Sequence, residues 1–428
     1  MIVVEVILWV LITLYLIRFF NSILTIFLEK YYSHKLDKVK VKKYKDIYVL
    51  LPALREQKIV EETINWFSNI PYKGKIKYII VTTEKEEFEN KDGSETTGQM
   101  VDRILKERKI KNFYHMHYPK TKGNKSSQLN YAVDEIMKEK PDMDNTYISV
   151  FDFDSKPSKD TFEKLNKVAI LRNNPDVIGQ VPINYKNYES SSKKVSNCLL
   201  LLSSLQQNLR SCGIEKTKLL VCSLSNLHIA QYCMGACLHL KLKTLVDNDK
   251  FPIFVDDLTL GYRLSIKLCN FAYLPSTNFV LIPNKVSDCF NQSVLIFKGV
   301  LTYLSEIKRV KGHFLGKFGV FIEGTLNVLE LTFLPYLALF YVIFCIVTFD
   351  FNLLFFLLIG INYLWSISSY INLKVYGFKN DRKITSILGI LLSPVWFICK
   401  SFGSLIYYKR YIVSKIFKKE IEYKKTVR

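Results

Sequence analysis

No Cys-x-x-Cys pair occurs in this sequence, although it holds nine cysteines. Cys233 and Cys237 lack a matching second pair, which argues against a zinc centre, and scattered unpaired cysteines fit a reducing compartment. His228 and His239 flank that pair and read as ordinary satisfied or exposed imidazoles without a role. Zinc-finger, RNA-recognition and helix-turn-helix signatures are also missing. The formal net charge of +21 is therefore not that of a nucleic-acid binder, which would in addition lack long uncharged segments. No small-residue cleavage site follows the first apolar stretch, so that stretch reads as an uncleaved anchor.

What is present is an apolar chain with its basic residues segregated. Its 428 residues are 49% hydrophobic and 14% aromatic, long enough for two or three domains. Residues 2–28 are apolar apart from Glu5, Arg18, Asn21 and a few hydroxyls, sufficient to cross a hydrocarbon core of about 30 Å. Lys30, Lys35, Lys38, Lys40, Lys42, Lys43 and Lys45 follow. The positive-inside rule then predicts a cytoplasmic polar region behind the anchor. Three later apolar runs cover 331–349, 352–373 and 385–408, the first two forming a hairpin at Asp350. A fourth full crossing would carry the basic tail 409–428 outside, against that rule. Ser393-Pro394 and Lys400 interrupt the last run, so it is expected to be a broken, re-entrant or interfacial segment that returns the tail to the cytoplasm. These runs show no internal repeat and few charges beyond Glu330 and Lys400, which disfavours a transporter.

Between Lys45 and Pro283 short apolar strands alternate with helical patterns. Strands are predicted at 47–51, 78–81, 113–118 and 147–151, and helices at 56–67, 98–109 and 126–138. Repeated βα units imply a mostly parallel sheet covered on both faces, with ligands at the carboxyl ends of its strands. Those ends carry Pro52-Ala53-Leu54-Arg55-Glu56, Thr82-Thr83-Glu84, and Asp152 with Asp154. Two carboxylates one residue apart at a strand end can face one site, where a divalent cation bridges them to a diphosphate. Gly123-Asn124-Lys125 precedes the third helix, where a lysine and free backbone N–H groups suit an anion.

In this order the segments resemble the family 2 glycosyltransferases of the GT-A fold. Pro52-Ala53-Leu54-Arg55-Glu56 matches the family's Pro-Ala-x-x-Glu. Gly123, Lys125, Leu129 and Asn130 match its Gly-x-Lys-x-x-x-Leu-Asn, and Asp152 with Asp154 its Asp-x-Asp. Met234-Gly235-Ala236-Cys237 is similar to an acceptor-side glycine segment, and Asp256-Asp257-Leu258 to an acidic pair followed by leucine. The resemblance covers about residues 46–300. It implies sugar transfer from a nucleoside diphosphate sugar with inversion, an Mg2+ or Mn2+ cofactor on Asp154 with Asp152 toward it or the ribose, and donor contacts from Pro52, Glu56, Lys125 and Asp152. Asp257 is the implied base, with Gly235, Asp256 and Gln292 on the acceptor side. A like-charged Asp256 would raise the proton affinity of Asp257; an acidic pair also suits a helix N-terminus whatever the function.

The sequence departs from the family at three places. Thr82-Thr83 replaces the acidic pair that contacts the base, and the polar stretch 84–97 beyond it is expected to be a flexible loop. Leu295 and Ile296 stand where the Arg-Trp of Gln-x-x-Arg-Trp would follow Gln292, which points to addition of one or a few sugars. Tyr423 replaces tryptophan in the tail motif ending Lys425-Thr426-Val427-Arg428. The implied architecture is a transmembrane anchor (1–28), a basic linker (29–45), the nucleotide-sugar half (46–180) and acceptor half (181–290) of a GT-A domain, an amphipathic interface region (291–325), a C-terminal membrane region (326–408) and a basic tail (409–428). The basic amphipathic stretch from Gln292 to Gly324 suits either the headgroup plane or packing on the catalytic domain. The expected protein is a multi-pass cell-membrane enzyme with a cytoplasmic catalytic domain, partnered by the donor, a glycan or lipid-linked acceptor and membrane lipids. Transfer to a polyprenyl phosphate and a non-catalytic scaffold with a degenerate nucleotide site are the alternatives.

Overall fold

A computed structural model of the chain describes residues 2–90, 93–185, 194–253, 256–283, 285–376 and 383–417. Helix α1 (Ile2–Asp37) contains neither glycine nor proline and runs unbroken past the apolar stretch into the basic segment. Its first part exposes Val6, Val10, Phe20, Leu24 and Phe27, whereas Tyr32 and Leu36 are buried in the core of the αβ unit.

That unit begins with β1 (Asp46–Pro52), α2 (Val60–Ser68), β2 (Ile76–Thr83), α3 (Glu84–Glu89), α4 (Thr97–Arg108), β3 (Phe113–Tyr118), α5 (Lys125–Lys138) and β4 (Thr146–Phe151). Strands β1, β2 and β4 are near-continuous apolar runs because both faces are covered by helices. The helix predicted at 56–67 starts later: Gln57–Ile59 forms one 3-10 turn, and α2 then buries Val60, Thr63, Ile64 and Phe67. The expected loop at 84–97 is in part helix α3, which the Thr83 hydroxyl caps by accepting from the Lys85 N–H. Its run of glutamates lies in the first turn, where the helix dipole favours negative charge.

The chain continues through β5 (Lys156–Pro157), α6 (Thr161–Leu171), β6 (Val177–Tyr185), α7 (Lys194–Asn208), a π-helical stretch (Leu209–Glu215), α8 (Lys216–Ser225), β7 (Cys237–Lys241), α9 (Leu242–Val246), α10 (Asp256–Ile266) and β8 (Phe271–Leu281). The eight strands form one sheet in the order β3-β2-β1-β4-β7-β6-β8-β5. Pairings are parallel except those made by β7 and by the short edge strand β5. The order reverses between β1 and β4, because β1 has β2 on one side and β4 on the other. A crevice opens beyond the carboxyl ends of strands at such a switch point, here beside Pro52 and Asp152.

Helices α11 (Val286–Val300), α12 (Tyr303–Arg309), α13 (Phe314–Thr332), α14 (Leu334–Thr348), α15 (Leu353–Val375), α16 (Lys383–Leu391) and α17 (Ser393–Phe417) complete the molecule. Among the described residues α1 and α15 are long and apolar enough to cross a membrane; α13 and α14, bent by 41° at a break before Pro335, would together make a third span. Leu8, Leu11, Ile12 and Tyr15 of α1 pack against Ala338, Tyr341, Leu358 and Trp365. The last apolar run is two helices broken at Leu392, and neither is among the described helices long and apolar enough to cross a membrane.

Candidate active site

Asparagine 124 starts the construction of the crevice. Its side chain accepts from the Ser127 N–H at 3.1 Å and caps α5, which fixes Lys125 in the first helical turn. One turn further in, Gln128 donates to the carbonyls of Ala53 and Val81, both at 3.0 Å. The N-terminus of α5 is thereby tied to the ends of β1 and β2. Thr63 on α2 donates to the Phe153 carbonyl at 2.8 Å, which holds the Asp-x-Asp turn against the other side of the crevice.

Lys125 then joins two halves of the site. Its Nζ lies 2.7 Å from Asp152 Oδ1 and donates to the Gly235 carbonyl at 3.0 Å. The Gly235 N–H approaches Asp257 Oδ2 at 3.4 Å, and the Tyr232 hydroxyl donates to that oxygen at 3.0 Å. The other oxygen, Oδ1, accepts from the Leu258 N–H at 2.8 Å, within the first turn of α10. A Cβ on Gly235 would stand 3.2 Å from Asp257 Oδ2 and 3.4 Å from Lys125 Nζ, so a side chain there would press on the Asp257 carboxylate and fill the space beside the lysine.

The Asp257 carboxyl is pushed above the ordinary range by burial, an effect held back by the Lys125 charge and by the donors from Leu258, Tyr232 and Gly235. Burial, with the Asp257 charge beside it, raises the Tyr232 phenol well above its ordinary value, so it stays a proton donor to the carboxylate. Asp154 is buried and accepts from the Leu281 N–H at 3.3 Å, at the end of β8.

The sequence-predicted residues therefore divide. Lys125, Asp152, Gly235 and Asp257 come together in one chain of contacts, and Pro52 lies at the carboxyl end of β1. Glu56 sits in the loop after β1, its N–H bonded to Thr97 Oγ1 at 2.9 Å. Gln292 lies on α11, where it accepts from Gln207 on α7 at 3.0 Å rather than bonding to the carboxylates. Asp256 opens α10, but its side chain lies outside the described residues, as does the tail from residue 418. His239 is core: burial lowers it to about 3, and Nδ1 meets Ser149 Oγ at 2.8 Å.

Other side chains had no sequence motif to flag them. Tyr232 carries a direct bond to Asp257, yet nothing in Gln231-Tyr232-Cys233 marks it. Behind it the Arg210 guanidinium lies 5.5 Å from the Tyr232 ring centre, and Arg210, Glu215, Lys218 and Glu323 form a partly buried chain of ion pairs reaching α13, with Glu215 at its buried centre. Glu86 on α3 is buried and receives the N–H groups of Arg55 and Thr97, both at 2.8 Å, and the Gln57 amide at 2.9 Å. It so organises the loop after β1, whose Arg55 holds a left-handed φ of 57°.

Thr82 bonds His115 at 2.6 Å and His117 at 2.9 Å, and His117 bonds Glu84 at 2.9 Å. Two groups suit a cation. Asp152 and Asp154 supply hard carboxylate oxygens at a strand end, a donor type that fits Mg2+ or Mn2+. Among the described residues Glu84, Glu87 and His117 bring their ligand atoms within 4.8 Å of one another.

No protein-family model matches the sequence, and no curated protein matches it either. Among solved structures the chain is similar to the mannosyltransferase PcManGT from Pyrobaculum calidifontis, determined in complex with GDP-Man and Mn2+. The TM-score is 0.46 at 13% identity, covering 97% of this chain and 100% of that one. A mycobacterial protein aligns with a TM-score of 0.37 and 12% identity, over 61% of this chain and 74% of its own. Likeness at this level assigns no activity, so a functional reading has to rest on the side chains.

Proposed function

We propose that the protein is a membrane-embedded glycosyltransferase that moves a sugar from a nucleoside diphosphate sugar to an acceptor hydroxyl with inversion at the anomeric carbon. The observation that carries this reading is the contact chain Asp152–Lys125–Gly235–Asp257. It sets a half-buried carboxylate across one lysine from the Asp-x-Asp at the switch point of an αβ sheet. Asp257 takes the proton of the acceptor hydroxyl. The freed oxygen bonds to the anomeric carbon as the bond from that carbon to the diphosphate breaks, and the nucleoside diphosphate leaves. Lys125 supplies positive charge beside the leaving group. Asp154, with Asp152, would hold Mg2+ or Mn2+, which when bound offsets charge on the diphosphate.

A base must be unprotonated to act, and burial raises the Asp257 carboxyl above its ordinary value, which makes the carboxylate a stronger proton acceptor. Transfer should therefore rise with pH through the Asp257 titration. The acceptor is a glycan or glycolipid hydroxyl, and the sheet lies on the cytoplasmic side by the charge rule.

The test is Asp257→Asn. Positioned general bases contribute roughly 10²–10⁴-fold. Transfer should fall by about that factor while metal-dependent thermal stabilisation by the donor persists. Near-normal turnover would refute the assignment of the base and favour an acceptor that is already an anion, such as a polyprenyl phosphate.

A further inference from the structure

The two candidate spanning helices that pack together, α1 and α15, stop being apolar at the same level. Exposed aliphatic and phenylalanine side chains on α1 run to Phe27, after which come Glu29, Lys30 and an exposed Tyr31; those on α15 run to Val375, beside Lys374 and Tyr376. Glu29 and Tyr376 meet there through a direct hydrogen bond and through Lys216, whose Nζ lies 2.6 Å from Glu29 Oε2. A change from lipid-facing to charged side chains on adjacent helices marks the headgroup level of a bilayer.

A cavity of about 450 Å3 opens at this level, between that junction and strands β6 and β8. None of the residues of the candidate active site lines it. Its floor is apolar, from Val181, Ile183 and Pro275, and its polar lining is rich in donors. Both carboxylates in its wall are already committed: Glu29 to Lys216, Tyr273 and Tyr376, and Asp160 to Lys164 at 2.7 Å with Ser158 and Ser276. Lys159 and the hydroxyls of Ser33 and Thr277 also line the cavity, and these have no hydrogen-bond partner among the described residues. An ammonium and two hydroxyls beside neutralised carboxylates, above an apolar floor, suit a phosphate diester with a short polar chain.

We propose that this cavity binds the glycerol phosphate headgroup of an anionic phospholipid, which seats the catalytic sheet on the bilayer surface. The inference rests on the membrane location proposed for the protein, and not on the identity of the transferred sugar.

The experiment uses the full chain in nanodiscs of phosphatidylcholine, with and without phosphatidylglycerol. It measures thermal stability and lipid retained by native mass spectrometry, with glycerol 3-phosphate as the soluble arm. Lys159→Glu tests the cavity, and Lys35→Glu on exposed α1 controls for general surface attraction. Phosphatidylglycerol should be retained and should raise the Tm of the parent and of Lys35→Glu. In Lys159→Glu retention should fall about tenfold, the size expected for one lost charge-assisted hydrogen bond. Equal losses in the two variants would overturn the site in favour of a diffuse surface field. A Tm shift reproduced by glycerol 3-phosphate with no lipid retained would overturn the lipid as its source. A chain that stays in aqueous buffer without detergent would remove the membrane reading itself, an outcome distinct from a chain that enters nanodiscs without discriminating lipids.

Discussion

Tyr232 donates to the same Asp257 oxygen that the Gly235 N–H approaches, and a hydrogen bond to a charged group stabilises the ionised form. Removing it in Tyr232→Phe leaves the half-buried carboxyl with one donor fewer, so its pKa rises further. If Asp257 is the base, activity on the low-pH side should fall about tenfold, commensurate with the loss of one hydrogen bond to a charged group. It should recover as pH rises, with the donor KM little changed. A pH–rate profile checks this; a uniform loss at every pH would show that Tyr232 acts on packing alone. At this scale the sequence made Lys125, Asp152, Gly235 and Asp257 legible, since each sits in an ordered motif, and the folded chain brings them into contact. It concealed Tyr232 and Glu86. Their importance comes from partners distant in sequence, Asp257 for the one and Arg55 with Thr97 for the other, and no local spacing encodes such pairings.

Close packing of α10 on the segment before β7 is what sets Tyr232 against Asp257. Gly261, in the middle of α10, permits it: a Cβ there would stand 2.5 Å from the Gln231 carbonyl oxygen and 2.8 Å from the Cys233 nitrogen. Alanine favours a helix over glycine by roughly 0.5–1 kcal/mol. Backbone cannot move aside as a flexible side chain does, and overpacking typically costs about 1–3 kcal/mol. Gly261→Ala should therefore lower Tm despite the better helix former, and should reduce transfer more than donor binding. Thermal unfolding and donor titration measure the two effects; an unchanged Tm would mean that α10 and the 231–233 segment have room to separate. The doubly covered strands β1, β2 and β4 were readable because burial on both faces leaves continuous apolar runs. Strand β7 was not, since Cys237-Leu238-His239-Leu240-Lys241 includes an imidazole that only the fold shows to be buried. Helix α3 was missed because Glu84-Lys85-Glu86-Glu87 reads as solvated loop until Glu86 is seen to anchor its neighbours.

The whole molecule bears on the conflict between tail charge and span count. If α1, the bent α13–α14 pair and α15 each cross the membrane, the three return the chain to the side of the sheet before α16 begins. Packing keeps α17 on that same side. Phe297 on α11 meets the rings of Tyr407 and Tyr408, both at 5.5 Å between centres, and Arg410 donates to Asn291 at 3.2 Å. A Cβ on Gly403 would fall 2.7 Å from the Ser293 side chain, so α17 lies directly along α11. Helix α11 follows β8 after a short connection and cannot be separated from the sheet by a bilayer. Whichever side holds the sheet thus holds α17 as well, and its basic end agrees with the cytoplasmic side. A cysteine introduced at Ser414, on the C-terminal part of α17, should react with a membrane-impermeant maleimide only after cells are opened, with the parent chain as the background. Labelling in intact cells would place α17 outside, and would require the contact between α11 and α17 to be broken in the membrane.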